Sequence, residues 1–224
     1  MTILFSPASA GALLVLAVLA ALPAPPALAD ATGAAPAEAA NFAEIPAVAE
    51  TLEQLRKGGF VLYLRHGRTD NTKPDRYPAV DLKDCSTQRP LNEDGVKMAG
   101  RVGDEIRKAR IPIGEIRISP LCRVIDTVAA AFPHHAYTID NDLMYTANLT
   151  DAEKAPIIAN TRRQLSSPVA LGGNRLLIAH APNLMDLMGY FPKEGTLVVF
   201  RPRGDGAFDY VASIPPTLWP SLQP

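Results

Sequence analysis

The N-terminal part of the sequence lacks charge: its first 29 residues carry no charged side chain, and no lysine or arginine precedes Arg56. Within it, Ala10 to Leu22 form an unbroken run of 13 apolar or glycine residues. A membrane-spanning helix needs about 20 such residues, so the run is short for a span. Prolines and the small residues Ala27-Leu28-Ala29 follow, as at the cleavage site of a secretory signal peptide. We predict export with residues 1–29 as a signal peptide, which lacks the usual basic start; the alternative is an uncleaved membrane anchor.

Cysteine and net charge are also scarce. The only cysteines are Cys85 and Cys122, and the formal net charge is -1. An oxidising compartment would allow the two cysteines to pair, but their number alone fits two separate buried thiols equally well. A general nucleic-acid-binding protein would need a basic face, so we expect no nucleic-acid partner. We also expect no stable membrane insertion once the signal peptide is removed.

Common metal-binding patterns are missing. The sequence contains neither His-Glu-x-x-His nor a Cys-x-x-Cys pair. The adjacent His134 and His135 lack ligand spacing, and we interpret them as loop residues before a strand. We therefore expect no metal and no cofactor.

The remaining sequence indicates one domain. Residues 30–41 are rich in Ala, Gly and Pro and are typical of a flexible leader, and residues 42–224 form the predicted domain. Helical patterns alternate with short apolar stretches, which favours an α/β fold: a three-layer α/β/α sandwich with a mainly parallel sheet and a C-terminal edge hairpin. The predicted strands cover 60–64, 115–119, 136–139, 175–179, 196–201 and 208–214, and the predicted helices 45–57, 92–109, 121–132, 152–165 and 182–189.

Side chains suited to phosphate chemistry follow three of the predicted strands. Arg65, His66 and Gly67 come after the first, Arg123 lies about one turn into the helix after the second, and His180 directly follows strand 175–179. Ligands of open α/β sheets bind beyond the carboxyl ends of the strands, so we expect these residues to share one site. Guanidinium groups suit phosphate oxygens, and a glycine allows the backbone to approach an anion closely. A neutral imidazole is a competent nucleophile toward phosphorus.

The same residues stand in motifs that resemble the histidine phosphatase superfamily, which includes the cofactor-dependent phosphoglycerate mutases. The resemblance covers roughly residues 59–201, in the family's order. Its elements are Leu64-Arg65-His66-Gly67 with Thr69, Pro90-Leu91-Asn92-Glu93-Asp94-Gly95, Ser119-Pro120-Leu121-Cys122-Arg123 with Asp126-Thr127, and His180. The segment 84–89 further resembles a subgroup of small exported members.

The resemblance implies a metal-independent phosphatase in which His66 is the nucleophile and forms a phosphohistidine that water then hydrolyses. It places Arg65, Arg123 and His180 around the phosphoryl oxygens, with Gly67 and Thr69 also in the phosphate site. We expect a small phosphorylated metabolite or envelope sugar phosphate as substrate, outside the cytoplasm. The alternatives are a phosphatase of protein phosphohistidine and a catalytically inactive phosphoanion-binding module.

The proton donor departs from the family pattern. Mutase-like members place a glutamate shortly after the third strand, in a Leu-x-Glu pattern, where this chain has Leu143-Met144-Tyr145. Among the carboxylates nearby we favour Asp142 as the acid. A missing acid would suit a substrate with a good leaving group, such as a phosphohistidine, an acyl phosphate or an anhydride, and it argues against a mutase. The carboxylates considered are Asp140, Asp142, Asp151 and Glu153.

The two cysteines lie beside these motifs. Cys122 directly precedes Arg123, and Cys85 lies in the polar loop that follows the first strand. Both segments should border the phosphate pocket. We therefore predict a Cys85–Cys122 disulfide that ties the loop to the pocket wall.

Overall fold

A computed structural model describes residues 42–223 of the chain. The predicted signal peptide (1–29) and leader (30–41) lie outside the described residues and stay predictions. Within residues 42–223, no helix is both long enough and apolar enough to cross a membrane.

Helices and strands alternate along most of the described chain, as the sequence predicts. Two single-turn 3₁₀ helices, Cys85–Thr87 and Asn141–Leu143, interrupt the loops. The other elements are α1 (Ala49–Arg56), β1 (Val61–Arg65), α2 (Glu93–Lys108), β2 (Ile113–Ile118), α3 (Cys122–Ala131), β3 (Thr138–Ile139), α4 (Asp151–Ser166), β4 (Asn174–Ala179), α5 (Ala181–Met188), β5 (Leu197–Gly204), β6 (Ala207–Ile214) and α6 (Trp219–Leu222).

The six strands form one sheet in the order β3-β2-β4-β1-β5-β6. The first four strands in that order are parallel, whereas β5 is antiparallel to β1 and forms a hairpin with β6. Gly204, Asp205 and Gly206 make the hairpin turn with positive φ angles of 81°, 49° and 78°. The mainly parallel sheet with an edge hairpin is confirmed.

Apolar side chains cover both faces of the sheet. On one face, Leu62 and Ile178 pack in a core with α1, α2, α3 and α6. On the other, Tyr63 and Leu177 pack with Leu165 of α4 and Leu184 of α5. Alternate residues of β1 and β4 thus serve different cores, because side chains of a strand alternate between its faces. The structure is the predicted α/β/α sandwich.

Helix α2 begins where the sequence predicts, because the Asn92 side chain accepts a hydrogen bond of 2.8 Å from the Gly95 N–H. The buried face of the helix includes Met98, which is 8% exposed, but not Val96, which is 44% exposed. The buried stripe passes through Gly95, one residue earlier. Val96 is rotated by about 100° from that stripe and faces solvent.

The long polar loop between β1 and α2 is fixed at its far end. Cys85 and Cys122 form the predicted disulfide, with their Cα atoms 5.8 Å apart. Beside it, the Cys122 N–H donates to Oε1 of Gln88 at 2.8 Å. The loop is therefore held against the N-terminus of α3, next to Arg123.

Candidate active site

The site lies at the carboxyl ends of β2, β4 and β1, which are adjacent and parallel. The backbone continues the pairing just beyond the strands: the His66 N–H donates to the Ala179 carbonyl at 3.2 Å, and the Ser119 N–H donates to the Ile178 carbonyl at 3.0 Å. This register brings His66, Ser119 and the residue after Ala179, His180, to one place. The predicted convergence of strand ends is present in the structure.

His66 is buried with one ring nitrogen anchored. Its Nδ1 lies 2.8 Å from the carbonyl oxygen of Gly67. A carbonyl only accepts hydrogen bonds, so Nδ1 must carry the proton, and in the neutral ring Nε2 keeps its lone pair. The ring of His180 is close by, with 5.3 Å between the ring centroids.

His180 is anchored through the opposite nitrogen. Its Nε2 lies 2.8 Å from Oγ of Ser119, and its buried Nδ1 has no hydrogen-bond partner within residues 42–223. The serine hydroxyl can donate to Nε2, which leaves the proton of the neutral ring on Nδ1. Tyr63 fixes the backbone, because its hydroxyl donates to the His180 carbonyl at 2.8 Å and accepts from the His180 N–H at 3.1 Å.

Both histidines are held in the neutral form. Burial lowers the pKa of His66 and of His180 well below the ordinary value, and the positive charge of Arg123 lowers both further. A nucleophile requires the neutral imidazole with its free lone pair, and the neutral ring of the second histidine still keeps one N–H that can donate to an anion.

Arg123 supplies a buried cation. Its side chain is 0% exposed, and Nη1 donates to Oδ1 of Asp75 at 2.9 Å. Its Nε and Nη2 are buried without a partner among the described residues. Its guanidinium carbon lies 5.1 Å from the centroid of the Tyr145 ring, which in turn lies 5.4 Å from the His180 ring. Unpartnered buried donors carry a free-energy cost, which an anion in the site would relieve.

Arg65 is directed by the segment before β5. Its Nη1 donates to the Pro192 carbonyl at 2.6 Å, and its Nη2 lies 3.8 Å from Oε1 of Glu194. Phe191 packs against the guanidinium group at 5.0 Å, and Nε is buried without a partner among the described residues. Arg65 thus keeps one buried donor for a ligand.

A third arginine, Arg89, belongs to the site and was missed by the sequence analysis. It lowers the pKa of His66, His180, Arg65 and Arg123 through its positive charge. Its Nε is buried without a partner in the described part of the chain. The available signal was its place in segment 84–89, at the end of the disulfide-bonded loop and directly before the Pro90-Leu91 motif.

Gly67 and Thr69 make packing and hydrogen-bond contacts beside the site, and their expected part in phosphate binding stays a prediction. A Cβ on Gly67 would lie 2.5 Å from the Gly95 carbonyl oxygen, so the glycine is required for close packing against α2. The Gly67 N–H already donates to Oγ1 of Thr127 at 3.1 Å. The N–H and the hydroxyl of Thr69 both donate to Oε1 of Glu194, at 3.1 and 3.0 Å. Both residues therefore help to hold the segment after β1 in place beside the candidate site.

Asp142, the favoured acid, does not join these residues. It is exposed on the 3₁₀ helix Asn141–Leu143, and its carboxylate has no hydrogen bond or ion pair within residues 42–223. Its backbone carbonyl instead accepts from the Asn160 side chain at 3.2 Å. His134 and His135 lie in the loop before β3, as expected. Among residues 42–223 there is no cluster of three or more His, Cys, Asp or Glu that could hold a metal ion.

A pocket of about 100 Å³ opens beside Arg123. Asp75 and Tyr145, which both contact Arg123, contribute to its wall, and most of the other lining residues are apolar. The full lining is Asp75, Arg76, Pro78, Ala79, Val80, Leu121, Met144, Tyr145, Asn148 and Leu149.

Residues 61–145 match the model of the histidine phosphatase superfamily (branch 1). The matched range contains Arg65, His66 and Arg123 of the site. Over this range the chain is similar to the histidine phosphatase superfamily. No curated protein matches the chain.

Solved structures of three phosphatase proteins are similar to this chain. A putative alpha-ribazole-5'-P phosphatase from Escherichia coli superposes with a TM-score of 0.51 at 14% identity, covering 70% of this chain and 97% of that one. The protein histidine phosphatase SixA in complex with tungstate gives a TM-score of 0.49 at 16% identity, with coverage of 70% and 97%. A mycobacterial glucosyl-3-phosphoglycerate phosphatase gives 0.48 at 16% identity, with coverage of 69% and 98%.

Proposed function

We propose that this protein is a histidine phosphatase: a metal-independent phosphohydrolase in which His66 takes the phosphoryl group from the substrate. The observation that carries the proposal is the hydrogen bond between Nδ1 of His66 and the Gly67 carbonyl. It fixes the tautomer with a free lone pair on Nε2, in a site that holds three guanidinium groups. The attacking nitrogen is thus oriented before the substrate arrives.

The three arginines and His180 stabilise the negative charge on the phosphoryl group. The unpartnered donors of Arg65, Arg89 and Arg123 take the non-bridging phosphoryl oxygens, whose charge grows in the transition state. The Nδ1–H of His180 donates to the same group. A water molecule then attacks phosphorus, the bond to Nε2 breaks with its electron pair returning to His66, and inorganic phosphate leaves.

The substrate is a small phosphorylated metabolite or an envelope sugar phosphate, met outside the cytoplasm. The neighbouring pocket of about 100 Å³ suits a small leaving group. The uncharged N-terminal segment and the Cys85–Cys122 disulfide support export, since structural disulfides persist in oxidising compartments.

Trapping the intermediate tests the proposal. Wild-type protein turning over a labelled aryl phosphate with EDTA present should carry label that survives alkaline quench and is lost in acid. His66→Ala should carry none, whereas His134→Ala, a change in an exposed loop, should label like the wild type. Label that persists in His66→Ala would contradict the assignment. Phosphate binding without turnover would favour the inactive binding module, and activity lost to EDTA and restored by zinc would contradict metal independence.

A further inference from the structure

We propose that Asp75 is the general acid of this site, the group that gives a proton to the leaving oxygen of the substrate. The inference rests on the proposed phosphatase function and extends it to substrates with poor leaving groups. The sequence offers no acid at the family's usual position, where Tyr145 packs between Arg123 and His180.

The hydrogen bonds of Asp75 leave one carboxylate oxygen free. Oδ1 accepts from Nη1 of Arg123 at 2.9 Å and from the Arg89 N–H at 2.8 Å. Oδ2 has no hydrogen bond or ion pair within the described residues. The carboxyl group is therefore anchored through one oxygen only. Because the side chain is 11% exposed, the group is also partly shielded from water.

Asp75 also lies between Arg123 and the neighbouring apolar pocket, where a general acid for the leaving group would be needed. It contacts Arg123 of the phosphate site and at the same time lines the apolar pocket with Met144 and Tyr145. In-line displacement places the leaving group on the side of phosphorus opposite the nucleophile. His66 is not among the residues that line the pocket, which therefore suits the leaving group, with Asp75 between that group and the phosphoryl site.

Asp75 must receive a proton before it can donate one to the leaving oxygen. In the free enzyme, Arg123 balances the negative charge of Asp75. A bound substrate phosphate would share that guanidinium with Asp75. The proton enters from solvent or from a substrate monoanion.

In this mechanism Asp75 acts first as an acid and then as a base. Nε2 of His66 forms a bond to phosphorus as the bond from phosphorus to the leaving oxygen breaks, and that oxygen takes the proton from Asp75. In the second half, the Asp75 carboxylate accepts a proton from the attacking water. The new oxygen–phosphorus bond forms as the nitrogen–phosphorus bond breaks, and the acid is regenerated.

The experiment compares Asp75→Asn with wild type on esters of different leaving-group basicity. Asparagine keeps an acceptor for both hydrogen bonds but cannot donate an acidic proton. We measure kcat/KM, which reports steps up to phosphoryl transfer to His66, for p-nitrophenyl phosphate and for a simple alkyl phosphate. Alkoxide departure needs the proton and p-nitrophenolate departure does not, so kcat/KM for the alkyl ester should fall about 10²–10⁴-fold, with little change for the aryl ester.

Retained activity on the aryl ester also shows that Asp75→Asn is folded. Asp81→Asn, a change of an exposed carboxylate in the same loop, is the matched control and should leave both substrates unaffected. Across a series of aryl phosphates, the rate of Asp75→Asn should depend more steeply on leaving-group basicity than the wild-type rate.

Other outcomes overturn the inference. An equal loss on both esters would make Asp75 only a positioning residue for Arg123, and no loss on either would place it outside the chemistry. If Asp142→Asn, and not Asp75→Asn, lost activity on the alkyl ester alone, Asp142 would be the general acid. Wild type that hydrolyses only the aryl ester has no acid but is still a phosphatase, whereas wild type that hydrolyses neither would refute the proposed function as well.

Discussion

Nε2 of His180 and Oγ of Ser119 lie 2.8 Å apart, and both residues are 0% exposed. The two follow neighbouring parallel strands, so the sheet itself sets this distance. The contact orients the imidazole whose other nitrogen faces the proposed phosphate site without a partner.

Removing that hydroxyl should lower activity. A net hydrogen bond contributes about 0.5–1.5 kcal/mol, so we expect Ser119→Ala to reduce kcat for an aryl phosphate by about 10-fold. Ser221→Ala, which removes an exposed hydroxyl in α6, is the control. Unchanged kcat in Ser119→Ala would mean that the orientation of His180 does not depend on this contact.

The buried neutral histidines should make folding stability depend on pH. Burial lowers the pKa of His66 and His180 in the folded state, so the unfolded chain binds more protons once the pH falls below about 6.5. The free energy of unfolding should therefore decrease with falling pH, by up to about 1.4 kcal/mol per pH unit for each histidine. Urea unfolding at several pH values between 7.5 and 5.5 measures this slope. A variant with both histidines replaced by glutamine should have a smaller slope; an identical slope would contradict the interpretation.

Two glycines of α2 offer a matched test of close packing. A Cβ on Gly103 would lie 2.1 Å from the Ala131 carbonyl oxygen of α3, whereas one on Gly100 would meet its nearest atom at 3.8 Å. Gly103→Ala should destabilise the fold by about 1–3 kcal/mol through overpacking. Gly100→Ala should be neutral or stabilising by up to about 1 kcal/mol, since alanine favours helix. The urea unfolding midpoints of the two variants measure this difference. Equal midpoints would mean that α2 and α3 are not in such close contact.

The disulfide should contribute to both stability and activity. It closes a loop with a sequence separation of 37 residues, which in the chain-entropy model stabilises the fold by about 4 kcal/mol. Replacing both cysteines by serine should lower the free energy of unfolding by roughly that amount. It should also lower kcat/KM, because the loop that carries Asp75 and Arg89 is released from α3. Thiol titration of denatured exported protein should find no thiols before reduction and two afterwards; two before reduction would rule out the bridge.

The site residues that directly follow strands could be predicted from the sequence, because the strands themselves determine where those residues lie. Arg65, His66 and His180 follow strands whose apolar runs are recognisable, and parallel strands bring their carboxyl ends together. The Asn92 cap and the C-terminal hairpin have local signals of the same kind.

The loop residues could not be predicted in that way. Asp75 and Arg89 lie in a polar segment without periodicity, and their positions depend on the disulfide and on hydrogen bonds to distant residues such as Arg123. The search for an acid near β3 led to Asp142 because it followed the family's order along the chain. The carboxylate that contacts the site comes instead from the loop after β1.

Arg89 gives the sharpest test of the loop's contribution to the site. Its side-chain Nε is buried and unpartnered within residues 42–223, and its charge lowers the pKa of both histidines. Arg89→Ala keeps the backbone N–H that donates to Asp75, so only the cation is removed. We expect kcat/KM for an aryl phosphate to fall by about 10²-fold, the usual effect of losing one preorganised donor. Arg89→Lys should recover part of the activity, since it restores the charge but not the planar fork.

A second measurement separates this role from simple destabilisation. Removing the Arg89 charge should raise the pKa of His66 and His180, which NMR titration of the imidazole signals can follow, with His66→Ala used for assignment. Arg101→Ala, which removes an exposed arginine of α2, is the control and should change neither the rate nor the titration. If Arg89→Ala behaves like Arg101→Ala in both measurements, the third guanidinium takes no part in phosphate binding, and Arg65 and Arg123 alone hold the phosphoryl oxygens.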